Sequence, residues 1–393
     1  MNKHILDKAV QTYISENLNS DVHKIAMAKS PFPEVSGQEL ANQIAAKKKC
    51  IKKIPAWFTT GNIYYPSLLS IEQCSSETTA AYKAKLGAGK SLIDLTGGYG
   101  VDSYYFSKTN DTVVHCEINT ELSAIAAHNA LQLSQEHTAF IAGDGISYIE
   151  DSGLKYDTIY IDPARRSSSG KVFMLKDCTP DVIENLDLLL AHSNRILIKT
   201  APLLDITAGL KELRYVAEIH IVSVKNECKE LIWVIKKGFN APIKIVCTAL
   251  NGQEKQFSFL KDAEHQQIQL ANKLTGRYLY EPDVALLKSG AFNLIAERYQ
   301  LEKLDHQTHL YVSDMVNESF PGRIFKIDEV ANIGNIKKEK NLTGSVIVRN
   351  FPDQAAALVK KFQIKPHDTQ FMIFTQSKHE GKILIKASIL QHY

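Results

Sequence analysis

Several short apolar runs in this chain end in an acid, each placed where a nucleotide-like ligand can be held. Asp94-Leu-Thr-Gly-Gly-Tyr-Gly100 closes one run with a carboxylate and then strips side chains from the turn. Glycine permits the tight turn and lets backbone touch a ligand at the start of the next helix, so Asp94, Thr96, Gly98 and Gly100 read as cofactor contacts. Thr112-Val-Val-His-Cys-Glu117 follows, with Glu117 suited to accept both ribose hydroxyls and Ile118 next to it. Gly143-Asp144-Gly145 ends a third run, where Asp144 suits the adenine amine and Gly145 completes the turn. A dinucleotide dehydrogenase would want G-x-G-x-x-G/A, whereas Ser103 holds the last position, and it has no use for an acid four residues before Gly98. An aminoacyl cofactor does, because that carboxylate suits its ammonium. The set points to S-adenosylmethionine.

A fourth tip, Ile159-Tyr-Ile-Asp-Pro-Ala-Arg165, lies where the sulfonium methyl should point. Asp162 suits an amine or a base edge, Pro163 stiffens the turn, and Ala164 and Arg165 complete the group facing the acceptor. Methyl transfer from a sulfonium needs little acid–base work, so a sparse catalytic set suffices. Enzymes that methylate exocyclic or amide nitrogens usually show Asp/Asn-Pro-Pro-Tyr/Phe, and Arg165 departs from that. Asp-Pro-Pro-Arg occurs in uracil-C5 RNA methyltransferases, but those need a cysteine after the fifth strand, and here Lys199-Thr-Ala-Pro202 stands there. Direct attack of a base nitrogen, without metal or covalent intermediate, is the expectation. Arg166-Ser-Ser-Ser-Gly-Lys171 reads as a basic loop able to clasp phosphate, or as an ordinary solvated loop. Upstream, Gln73, Ser75 and Ser76 either donate to the cofactor's carboxylate or simply cap a helix; Cys74 among them has no activating neighbour.

The elements that must position these groups follow from periodicity. Residues 1–66 read as helical, with Ile5, Ala9, Val10, Tyr13, Ile14 and Leu18 on one face and a Ser36-Gly-Gln-Glu39 capping box starting a further helix. From 67 to 238, β-rich runs at 91–96, 112–117, 137–142, 156–161 and 195–200 alternate with helical ones, as in a parallel sheet. Runs at 214–224 and 228–237 are too close for a crossover and must form an antiparallel hairpin. The fold class is therefore α/β: a Rossmann-like, seven-stranded class I methyltransferase sheet after an N-terminal helical region. Residues 239–320 read as a connecting β segment with isolated strands at 241–246 and 257–259 and a helix opening at 281–288. Residues 321–393 show strands at 344–350, 370–375 and 382–388 and a helix at 353–362, a small α+β module.

Six scattered cysteines without a C-x-x-C pair indicate neither disulfides nor a metal site. No apolar run approaches a membrane span and no signal segment opens the chain, so the expectation is a cytoplasmic protein without a membrane partner. Net charge is only +3, but residues 1–60 carry nine Lys against five acids, and 321–365 nine Lys plus Arg against four. Lys47, Lys48, Lys49, Lys52 and Lys53, followed by Trp57, Phe58, Tyr64 and Tyr65, suit phosphate contact with base stacking. Lys337, Lys338, Lys340, Arg349, Lys360 and Lys361 form a second basic set.

Taken together, Ser70-Ile-Glu-Gln-Cys-Ser-Ser-Glu77, the stretch from Asp94 to Asp102, Tyr160-Ile-Asp-Pro-Ala-Arg-Arg166, Tyr280-Glu-Pro-Asp-Val-Ala285 and Val348-Arg-Asn-Phe-Pro352 resemble the signatures of bacterial class I S-adenosylmethionine-dependent methyltransferases with a C-terminal THUMP-like domain. The resemblance implies a ferredoxin-like segment around 276–320 and a THUMP-like module from about 321 that brings structured RNA, rRNA or tRNA, to the catalytic centre. A small-molecule or protein methyltransferase, and a non-catalytic RNA-binding protein that keeps the cofactor pocket, are the alternatives.

Overall fold

Aliphatic and β-branched runs build a parallel sheet from β1 (Gly89–Asp94), β2 (Asn110–Glu117), β3 (Thr138–Ala142), β4 (Thr158–Ile161) and β5 (Arg195–Thr200). Every residue of β4 is buried, as expected of a central strand covered on both faces. In this computed structural model residues 1–165, 174–262, 268–336 and 342–393 are described. The loop Arg166 to Lys171, Lys337, Lys338, Lys340 and the side chain of Arg165 lie outside the described residues. The chain divides into two units, Met1–Ala217 with Ile232–Ala241, and Glu218–Leu231 with Pro242–Tyr393.

Two more strands, β6 (Val216–Val224) and β7 (Glu227–Lys236), follow, and the sheet then gains β8 (Lys244–Asn251) and β9 (Gln253–Leu260). The order is β9-β8-β6-β7-β5-β4-β1-β2-β3. Its core is the expected seven-stranded class I arrangement with the reversed pair β6 and β7. The strands expected to be isolated instead form a hairpin, β8 pairing β9 antiparallel and β6 in parallel. Burial of nearly all of β8 explains this: a strand apolar on both faces needs neighbours.

From β1 the chain passes to β2 and β3 on one side and then returns to β4 on the other. Ligands bind at such a switch point, at the carboxyl ends of the strands. The connecting helices begin at the same edge: α7 (Val101–Phe106) after Gly100, α8 (Thr120–Gln132) capped by Asn119, and α9 (Gly145–Ser152) capped by Asp144. The crossovers after β4 and β5 carry α10 (Leu186–His192) and α11 (Ile206–Glu212).

The amino-terminal helices are α1 (Lys8–Glu16), α2 (Val22–Met27), α3 (Gly37–Lys53), α4 (Pro55–Thr59), α5 (Leu68–Gln73) and α6 (Glu77–Gly87). The capping box at Ser36 and Glu39 starts α3, and Pro55 opens α4 where its missing N–H costs nothing. Ile5, Val10, Ile14, Leu40, Ile44 and Trp57 pack in one cluster with Leu92, Phe106, Tyr160 and Leu197. These helices thus share a core with the sheet. Trp57, Tyr64 and Tyr65 belong to that cluster and are buried, so none offers a ring to a base. Two amides hold the segment between α4 and α5. Gln43 accepts the Tyr65 N–H at 3.0 Å and donates to its carbonyl, while Asn129 of α8 accepts the Tyr64 N–H at 2.9 Å and donates to its carbonyl at 2.8 Å.

In the second unit, β10 (Tyr278–Pro282), β11 (Glu302–Asp305), β12 (Thr308–Ser313), β13 (Gly322–Asn332), β14 (Ser345–Val348), β15 (Gln370–Ser377) and β16 (Gly381–Gln391) form a sheet in the order β11-β12-β10-β13-β16-β15-β14. Helices α12 (Val284–Ser289) and α13 (Phe292–Tyr299) join β10 to β11, and α15 (Ala355–Phe362) joins β14 to β15, with the short α14 (Ile333–Ile336) after β13. Alternate residues of β15 and β16 feed two separate clusters, Phe371, Ile373, Ile383 and Ile385 in one and Met372, Phe374 and Leu384 in the other. That is the period-two pattern of a sheet covered on both faces.

Asn129→Ala strands the buried N–H of Tyr64 and leaves its carbonyl with the Tyr99 hydroxyl, at 3.2 Å, as donor. Such an orphan costs about 1–3 kcal/mol, so calorimetric melting of the variant is expected a few degrees below the wild type, with far-UV circular dichroism unchanged below the transition.

Candidate functional site

The tip of β1 is laid directly on a histidine ring. A Cβ on Gly97 would stand 2.2 Å from Nε2 of His115, which lies in register with Asp94 on β2 and is wholly buried. Only glycine fits there. Gly98 and Gly100 take φ of +57° and +83°, the left-handed region that favours glycine, and Gly100 opens α7. Burial holds the His115 imidazole down to about 4, so the ring is neutral.

Asp94 is sealed beneath this turn. Its Oδ1 accepts the Thr96 N–H at 3.0 Å, and its Oδ2 accepts the Ser103 hydroxyl at 2.7 Å. Burial pushes its carboxyl up to about 7, against the opposing pull of those donors. The acid is therefore a brace of the turn. Glu117 at the tip of β2 accepts the Gly98 N–H and the Asn119 N–H, each at 2.8 Å, and each oxygen keeps a lone pair for a further donor.

A cavity of about 510 Å³ opens at the switch point, walled by Ser70, Gln73, Cys74 and Ser75 around the end of α5, by Thr96 to Tyr99, Val101 and Asp102, and by Glu117, Leu122, Asp162, Ala164 and Lys199. Its volume suits a ligand of nucleoside size. Of the candidates from sequence, Gln73, Ser75, Thr96, Gly98, Glu117, Asp162 and Ala164 meet at this wall. The other described candidates are not among its lining residues. Ser76 caps α6 by accepting the Thr79 N–H, and Asp144 caps α9 by accepting the Ser147 N–H at 2.9 Å. Gly145 packs so closely that a Cβ would meet the Leu95 carbonyl at 2.6 Å. Pro163 is buried, and Ile118, 70% exposed, is an uncovered apolar side chain next to Glu117. A second cavity of about 380 Å³, between α3, residues 64–67 and α8, shares Ser70 and Leu122 with the first.

The structure adds groups that the motif reading passed over. Asp102, in the first turn of α7, lines the cavity and lies 3.1 Å from the Nζ of Lys83, a wholly buried lysine of α6. Lys83 also donates to the Ser75 hydroxyl at 2.8 Å, Ser75 donates to Asp102 at 2.8 Å, and Tyr160 of β4 donates to the same oxygen at 3.0 Å. A buried lysine needs such a partner to stay charged. An acid in a helix's first turn after the glycines, and a lysine at the inward position of Thr79-Ala-Ala-Tyr-Lys83, were the available signals. Lys199 is the third addition; its Nζ lies 2.6 Å from Oδ2 of Asp162. Burial pushes the Cys74 thiol up to about 11, so it is no thiolate. Among the described residues no group of three His, Cys, Asp or Glu could hold a metal ion, and no described helix is long and apolar enough to cross a membrane.

This donor set fits S-adenosylmethionine: flush glycine backbone, a carboxylate at the β2 tip for two hydroxyls, an exposed aliphatic beside it for a base, and a braced acid with polar side chains of α5 for an aminoacyl end. Comparison with known proteins points the same way. A family model described as a ferredoxin-like domain matches residues 278–321. Two uncharacterised S-adenosylmethionine-dependent methyltransferases of Mycobacterium tuberculosis, from strains CDC 1551 and H37Rv, are each 23% identical over 258 residues, 64% of this chain and 67% of theirs. The crystal structure of a candidate methyltransferase from Porphyromonas gingivalis W83 superposes with a TM-score of 0.86 at 29% identity, covering 99% of each chain. The chain thus has the class I S-adenosylmethionine-dependent methyltransferase fold with a C-terminal ferredoxin-like domain.

The titration of Asp94 gives a test. An unfolded Asp loses its proton near 3.9, whereas the folded carboxyl keeps it to about 7. In that window the folded state binds more protons, so this contribution to stability is full at low pH and is lost as pH rises to 7. Asp94→Asn does not titrate and leaves the contribution of His115 unchanged. The melting temperature of the variant relative to wild type should therefore climb by a few degrees between pH 4.5 and pH 8.

Proposed function

We propose that this protein transfers the methyl group of S-adenosylmethionine to a base nitrogen of structured RNA, rRNA or tRNA, by direct attack. The observation that carries the reading is the cavity at the switch point, where Glu117, Asp102 and the glycine turn converge with Asp162 across one space of about 510 Å³. S-adenosylmethionine, when bound, supplies a methyl carbon made electrophilic by its sulfonium. Around it, Glu117 holds ribose hydroxyls, Ile118 covers the base, and Asp102, held by Lys83, Ser75 and Tyr160, takes the ammonium in place of the sealed Asp94. Gln73, on the cavity wall, remains for the carboxylate. Asp162 stands where an acceptor N–H would arrive, and Ala164 beside it leaves room for a planar base. Orientation and exclusion of water supply most of the acceleration.

Support for RNA comes from the basic end of α3. Lys48, Lys49 and Lys52 are exposed there, Lys49 pairs with Glu72 of α5 at 3.0 Å, and Lys53 donates to the Glu72 carbonyl. The next residue of α5, Gln73, lines the cavity, so phosphate-binding charge adjoins its wall. Part of the second basic set has other work: Arg349 pairs with the buried Glu281, and Lys361 with Asp353. We extend the resemblance to a THUMP-like module beyond residue 321 as part of this reading. One observation favours a protein or small-molecule acceptor instead: Ala164 supplies no ring, and Trp57 and Tyr65 are buried. Salt separates the two, because RNA binding weakens steeply with ionic strength.

Radiolabelled methyl transfer into RNA from cells lacking this gene, followed by nucleoside analysis, is expected to yield one labelled nucleoside. Asp162→Ala should lower that transfer by about a hundredfold or more while S-adenosylhomocysteine still binds. Glu117→Ala should instead weaken S-adenosylhomocysteine by about ten- to a hundredfold, as loss of a paired charge-assisted contact does, read by calorimetry.

A further inference from the structure

Lys199 ends the buried run Ile196-Leu-Ile198 at the tip of β5, next to the strand that carries Asp162. The ammonium lies 2.6 Å from Oδ2 of Asp162, and both side chains line the cavity. The Asp162 N–H donates to Oγ1 of Thr96 at 2.7 Å, and the Thr96 N–H is itself tied to Asp94. Asp162 is therefore held from three neighbouring strand tips, its backbone by β1 through Thr96 and by β4 through the chain, and its carboxylate by β5 through Lys199. A half-buried ion pair of this kind adds little net stability, because desolvation offsets the attraction. What it fixes is direction. Pairing also cancels a positive charge that would otherwise repel a sulfonium close by.

We propose that Lys199 is the positioning residue of the acceptor subsite, holding Oδ2 of Asp162 so that Oδ1 meets a nitrogen nucleophile that carries a proton, an exocyclic amine or a ring N–H of a base. The inference rests on the RNA methylation reading above and narrows its acceptor. The nitrogen lone pair forms the new C–N bond, the C–S bond breaks with its electron pair going to sulfur, and the proton shed by nitrogen passes to Oδ1 and then to water. A carboxylate suffices as proton acceptor for a nitrogen that turns cationic as it is methylated, but not for an unactivated ribose hydroxyl.

The test is a double-mutant cycle on the full chain with Lys199→Met, Lys199→Arg, Asp162→Asn and the pair Asp162→Asn with Lys199→Met. Readouts are kcat and KM with RNA from cells lacking the gene, S-adenosylhomocysteine affinity by calorimetry, and melting temperature. Lys199→Met should lower kcat by about 30- to 100-fold, with S-adenosylhomocysteine affinity within about twofold and melting near wild type. Lys199→Arg should recover most of the loss. In the Asp162→Asn background, Lys199→Met should cost less than about threefold more. An equal cost in both backgrounds would show Lys199 acting independently of Asp162 and overturn the inference, as would a parallel loss of S-adenosylhomocysteine affinity. If wild type labels RNA at a 2′-oxygen or at C5, the RNA reading stands and the nitrogen assignment falls. If wild type labels no RNA, the RNA reading falls, and the assignment to a base nitrogen falls with it.

Discussion

There is no space between the tip of β1 and the imidazole of His115, and the rest of the site depends on that contact. A side chain at Gly97 would overlap the ring, so the backbone of the turn lies flat on β2. The Gly97 N–H then reaches the Cys116 carbonyl at 2.7 Å, and the Gly98 N–H reaches Glu117. Two strand tips are thereby fixed to each other before any ligand is considered. Asp94 locks the turn from below through Thr96 and Ser103, and Thr96 passes the constraint to the backbone of Asp162. The electrostatic cost is a carboxyl held in a wholly buried place, which is why its proton affinity rises.

Polar groups inside the first unit perform a second kind of alignment. Gln43 and Asn129 read the backbone of consecutive residues, Tyr65 and Tyr64, and so set α3 and α8 around the same segment. Lys83, Ser75, Asp102 and Tyr160 join α6, α7 and β4 in one network that ends at the cavity wall. Buried polar groups are costly unless paired, so these sets permit few alternative arrangements of the helices. The amino-terminal helices, which share a core with the sheet, are part of the frame that shapes the cavity.

The second unit uses the same device. Glu281, nearly inaccessible on β10, is held by Arg323 and Arg349 from β13 and the end of β14. Asp283 caps α12, accepting the Ala285 N–H at 2.8 Å and the Ser223 hydroxyl at 2.5 Å. These contacts account for the acids in Tyr280-Glu-Pro-Asp283 and for Arg349 in Val348-Arg-Asn-Phe-Pro352. Both motifs stood out by sequence, and both hold the ferredoxin-like segment and its neighbouring strands together.

Local chemistry was enough to place strands β1 to β7, the capping box at Ser36, the glycine turn, and the acids at the tips of β1, β2 and β4, because each depends on residues close in sequence; β10 to β13 were not read from the sequence. Glycine spacing and apolar runs are local signals. What Asp94, Ser76 and Asp144 do was decided by tertiary structure, since a carboxylate or hydroxyl at a helix start serves equally as a cap, a brace or a ligand, and only its neighbours choose. Trp57 and Tyr65 looked like stacking rings until the fold buried them against the sheet. Asp102, Lys83 and Lys199 carried no motif of their own. Their partners lie 27, 8 and 37 residues away in sequence, so the pairings exist only once strands β1, β4 and β5 and helices α6 and α7 bring those side chains together.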